Sequence, residues 1–203
     1  MSRAADPQLC VDFVNTVDWR TDPVRRQELL HTHQDLIRWS QRHGMISESA
    51  ERKLARRADH HPRVAGQIFD RSLALRDAIY RVLSAIAAER EAGRPDLDII
   101  SREAQHAAQH LRLKQSDGDF QWEWAGDDDA LERLLWPIVR SATDLLTSDQ
   151  LARVRECEGP GCGWIILDTT RNRSKRWCNM QSCGNRAKVK RFYQRHKQET
   201  TAK

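Results

Sequence analysis

The sequence predicts a mainly α protein with small β elements, an α+β chain in which a helical N-terminal domain precedes a small C-terminal module. Three observations point there. Apolar residues recur at helical spacing through most of the first 148 positions. Four of the five cysteines fall in two pairs between 157 and 183. Charge divides at the same place: residues 1–150 carry 21 Lys and Arg against 25 Asp and Glu, while residues 151–197 carry 12 against 3. A mildly acidic body with a strongly basic end points to a polyanion as the partner of that end.

The 203 residues suit one medium domain and an appendage, and 39% hydrophobic content can support a core. No apolar run approaches the ~18–20 residues of a membrane span. The first twenty residues include Asp6, Asp12 and Asp18 and lack a signal-peptide pattern. The expected location is therefore the cytoplasm, away from membranes, where paired cysteines more often mean metal than disulfide.

Along the chain, the apolar segment 9–17 can open a helix or a strand. Residues 33–44 read as a helix with Leu36, Ile37 and Trp39 inward and Gly44 as its stop. A second helix over 47–61 has Ser47 as its N-cap and ends before Pro62. The strongest pattern runs from 62 to 92, where Ile68, Leu75, Ile79, Val82 and Ile86 form one stripe at helical period. Residues 96–110 form a further helix. Alternation on both sides of residues 116–119 signals a hairpin over 111–124 that puts Trp122 and Trp124 on one face. Residues 127–146 are helical again, kinked near Pro137, with Leu131, Leu134, Ile138 and Leu145 buried.

The last ~50 residues are too few to bury a sufficient core unaided. Cys157 and Cys162 form one pair, Cys178 and Cys183 the other, each close enough for a tight turn to aim two sulfurs at one point. Zinc takes four thiolates tetrahedrally at ~2.3 Å, and one structural ion contributes on the order of 10–16 kcal/mol in small fingers. Gly159 and Gly161 suit the first knuckle. Residues 164–168 and 174–178 read as a hairpin and 184–197 as a helix, the order of a treble-clef-like four-cysteine zinc finger. An iron–sulfur cluster also uses four thiolates, and spacing does not separate it from zinc.

The stretch 157–196, with Cys183-Gly184-Asn185-Arg186, closely resembles the CGNR zinc finger, and residues 9–16 and 73–85 resemble the ABATE domain that accompanies it. The resemblance implies a stress-induced transcription regulator with a DNA-binding finger. It divides the chain into an ABATE-like, mostly helical sensor or dimerisation domain over 1–148, a finger over 150–197 and a flexible tail over 198–203. Arg186, Lys188, Lys190, Arg191 and Arg195, in ridges flanking a neutral strip at Ala187 and Gln194, are the candidate nucleic-acid contacts, to which the hairpin turn adds Arg173, Lys175 and Arg176. Val189, Phe192, Tyr193 and His196 share the face expected to pack on the hairpin. Arg176 and Arg186 can also serve only to offset the thiolate charge.

In the body, Asn15 and Thr16 are candidate contacts for a small-molecule effector, weighed against a backbone-capping role. His106 and His110 are a weaker candidate metal pair. No phosphate loop, nucleophile elbow or zinc-protease helix is present in the sequence, so a non-enzymatic role is expected. DNA is the expected partner. An RNA- or ribosome-associated module, an adaptor for an acidic protein and, least supported, an enzyme are the alternatives, and a homodimer is a further expected partnership.

Overall fold

The structure is a computed structural model that describes residues 6–116, 118–126 and 129–201, without the side chains of Ser116 and of residues beyond Tyr193. The ambiguous opening segment is helix α1 (Pro7–Val14), started by Pro7 and by Asp6, whose carboxylate accepts from the Gln8 N–H. It buries Cys10, Val11, Phe13 and Val14, and burial pushes the Cys10 thiol up to about 12. Two short strands absent from the expectation follow, β1 (Val17–Asp18) and β2 (Gln27–Glu28), paired antiparallel.

Helix α2 (His33–Arg42) begins with a capping box: the Thr32 hydroxyl takes the Asp35 N–H, and Asp35 takes the Thr32 N–H in return. Gly44, at φ +68°, stops it. Ser47 caps α3 (Glu48–His60). The long helix α4 (Pro62–Ala87) ends before the expected 92, because the chain turns at Glu89, φ +55°. After α5 (Arg94–Ala108) comes the hairpin of β3 (Leu111–Ser116) and β4 (Asp119–Trp124), with Leu111 opposite Trp124. A 3₁₀ turn (Leu131–Leu134) leads into α6 (Leu135–Leu146); positions 127 and 128 of the expected helix lie outside the described residues. Pro137 sits in the first turn of α6, where its missing N–H costs nothing.

One core runs from α1 to residue 167. Phe13, Leu75, Ile79, Val82, Ile138 and Leu145 belong to one buried cluster with Val154, Ile165 and Leu167. The last three come from β5 (Val154–Glu156) and β6 (Ile165–Leu167), which pair Val154 with Leu167. The hairpin expected between 164–168 and 174–178 does not form: β6 pairs with β5. Buried Asp168 explains the change, since its carboxylate accepts from the Thr170 and Lys175 N–H groups and folds 168–175 into a loop. A π-helical turn (Met180–Gly184) then enters α7 (Asn185–Thr201), which runs past the expected 197.

Candidate metal centre and nucleic-acid surface

The first knuckle links β5 to β6. The Cys157 N–H donates to the Trp164 carbonyl at 2.8 Å and closes the ladder, leaving residues 158–163 to turn back with Gly161 at φ +75° and Gly163 at φ +66°. Gly159 is required for another reason: a Cβ there would stand 2.7 Å from Cys183 Sγ. The second knuckle is the π turn, capped by Asn179, whose side chain accepts from the Gln181 and Ser182 N–H groups. It sets Cys183 at the N-terminus of α7, where the helix dipole favours a thiolate.

The two knuckles bring all four ligand sulfurs within 4.8 Å of one another. Cys162 and Cys178 Sγ lie 3.8 Å apart, and Cys178 and Cys183 Sγ 3.4 Å apart. Tetrahedral zinc at ~2.3 Å from each sulfur needs sulfurs ~3.8 Å apart, and a disulfide needs ~2.05 Å. The set fits a divalent ion and not a pair of cystines. The Cys157 sulfur accepts from the Gly159 and Cys178 N–H groups, and Cys183 from the Arg186 guanidinium at 2.9 Å. Hydrogen bonds from the Cys162 and Cys178 thiols pull Cys157 well below the ordinary thiol range, and sharing a proton with Cys157 pushes Cys162 and Cys178 up. Only a cation lets all four ionise together. Among the described residues, no other group of three or more His, Cys, Asp or Glu could share a metal; His110 instead stacks on Trp136 at 4.0 Å.

The finger is fastened to the body. Asn15 spends both ends of its amide on Ile165, donating to its carbonyl at 2.8 Å and accepting its N–H at 2.9 Å. Thr16 is buried, donating to the Phe13 carbonyl and accepting from Arg76. Both candidate effector contacts are thus engaged within the chain. The Arg20 N–H donates to the Cys162 carbonyl, and the Trp164 indole to the Val17 carbonyl. Trp19 receives two guanidiniums over its ring, Arg25 at 3.8 Å and Arg186 at 4.4 Å. Nothing in the sequence spacing signals that residue 19 meets residue 186.

The basic candidates separate. Arg186 is drawn to Cys183 and Trp19. Arg176 pairs with Glu158 and, with Trp177, Lys190 and Arg191, lines a groove of about 280 Å³ beside the metal centre. Lys188, Lys190 and Arg173 are exposed, Lys175 is half-buried, and none of the four forms an ion pair among the described residues. The side chain of Arg195 lies outside the described residues. Asn185 donates to the Gln181 carbonyl, a local turn contact.

A model described as "Putative stress-induced transcription regulator", named ABATE, matches residues 8–149. The chain belongs to the ABATE family. The CGNR zinc finger model matches residues 153–196, in the order that the sequence resemblance implied. No curated protein matches the chain. Cys157, Cys162, Cys178 and Cys183 of this ABATE-family chain are therefore the ligands of one structural zinc ion, which supplies charge neutralisation and geometry. No helix among the described residues is long and apolar enough to cross a membrane.

Proposed function

We propose that the chain is a zinc-dependent, DNA-binding transcription regulator that responds to stress. The observation that carries this reading is a zinc centre that anchors the start of a cationic helix, with Lys188 and Lys190 on α7 in no ion pair among the described residues and Lys190 and Arg191 at the groove beside Arg176. Phosphates neutralised by such residues release counterions, so affinity falls steeply with salt. Lys190→Ala/Arg191→Ala should lower the slope of log K against log salt by about two, at roughly 0.9 per phosphate contact. Fluorescence anisotropy of labelled duplex DNA measures it; a slope unchanged in the variant would sink the assignment of these two residues. The proposal assigns no catalysis to the chain and places it in the cytoplasm.

The ABATE body is assigned sensing or dimerisation. Among the described residues, a groove of about 330 Å³ lined by Leu9, Met45, Leu111, Trp122, Trp124 and Arg140 is a place in the body for an effector with an apolar part.

A further inference from the structure

Helix α7 turns its apolar side outward. Val189, Phe192 and Tyr193 are 53%, 50% and 68% exposed, against the sequence expectation that they pack on the finger. The cause is the way the helix is held. Arg186 ties its first turn to Cys183 and Trp19, and the side bearing Ala187, Lys190 and Arg191 faces Pro160 and Trp177 across the groove. At 3.6 residues per turn, Val189, Phe192 and Tyr193 then share an arc of about 100° that points away from that groove. Lys188 borders the arc beyond Phe192 and Lys190 borders it beyond Tyr193, both exposed. The two aromatic rings meet edge to face, centroids 5.9 Å apart.

An aromatic ridge between two cations has a limited choice of partner. A second copy of the same face would set Lys188 and Lys190 against their own kind, with like-charge repulsion along the contact. A polyanion that carries flat apolar groups satisfies both parts, and nucleic acid is that polymer. In an undistorted duplex the base faces are covered by their neighbours, so the rings find partners only where a step is opened or unpaired.

Resting on the DNA-binding reading above, we infer that α7 engages DNA as an aromatic wedge. Phe192 and Tyr193 stack on bases of an opened or unpaired step, and Lys188 and Lys190 take the flanking phosphates.

The test compares the zinc-loaded full chain on a short duplex and on the same duplex with a central unpaired bubble, by anisotropy at a series of salt concentrations. The bubble should bind roughly tenfold more tightly. Phe192→Ala/Tyr193→Ala should reduce it to the level of the paired duplex and leave the salt slope unchanged. Phe192→Leu/Tyr193→Leu, which keeps apolar area and helix propensity but removes the π faces, should do the same, with zinc content checked by native mass. Equal affinity for the two DNAs, or a preference that survives both variants, overturns the wedge; salt-dependent duplex binding in that case leaves the parent reading standing. No binding to either DNA removes both. An unpaired RNA that outcompetes the bubble reassigns the ridge to RNA and overturns the DNA wedge. A dimer that the alanine pair dissociates, without change in DNA preference, makes the ridge an interface between copies and likewise overturns it.

Discussion

Arg76 reaches from α4 into a site that is only 2% exposed and grips Glu28 of β2 with two parallel bonds of 2.6 and 2.7 Å. It also donates to Thr16, so one guanidinium holds together α4, β2 and the turn between α1 and β1. Removing one partner of such a pair leaves a desolvated charge without compensation. Arg76→Ala should cost about 3 kcal/mol in urea unfolding, the low end of the range for buried pairs because Glu28 stays 30% exposed. Burial alone would raise the Glu28 carboxyl, but the Arg76 guanidinium more than offsets it and holds the group below its ordinary 4.5. A carboxyl with a depressed folded-state value stabilises fully above its unfolded value and loses that contribution as pH falls through the folded one. The wild-type protein should therefore lose stability below about pH 4.5 more steeply than Arg76→Ala, in urea titrations repeated across pH.

Elements differ in how far their own residues decide them. Helices α2 and α3 carry apolar stripes and side-chain caps within their own segments, so they were legible to the turn. The β5–β6 pairing was not, because 174–178 has the same strand-like composition as its competitor, and only the buried Asp168 loop takes it out of the ladder. In the knuckle, Gly159 was legible as a turn residue but not as the neighbour of Cys183, which is 24 positions away in the chain. Gly159→Ala should drive a methyl into the Cys183 sulfur, opening the tetrahedron. Competition with a chromophoric chelator should then strip zinc from the variant at a concentration at least tenfold lower than from wild type, about 1.4 kcal/mol of lost affinity. Equal resistance to chelation would show that the second knuckle shifts to make room.

At the scale of the molecule, zinc and body should unfold as one cooperative unit, because Val154, Ile165 and Leu167 of β5 and β6 lie in the core of the ABATE body while Cys157 and Cys162 in the knuckle between these strands bind metal. Heating the zinc-loaded chain should give a single calorimetric transition, and chelation should lower its midpoint rather than melt a finger separately. Two transitions, with the upper one indifferent to chelator, would refute the coupling. A chain cut at 148 should be destabilised even with its helices intact, since it opens the core where β5 and β6 pack. The existence of most helices, the four zinc ligands and the excess of positive charge were set by the sequence alone, since periodicity, ligand spacing and composition are local properties. Which way α7 faces, what Arg186 and Asn15 hold, and how the finger sits on the body were decided by tertiary structure, because each depends on a contact between residues that the chain order does not bring near.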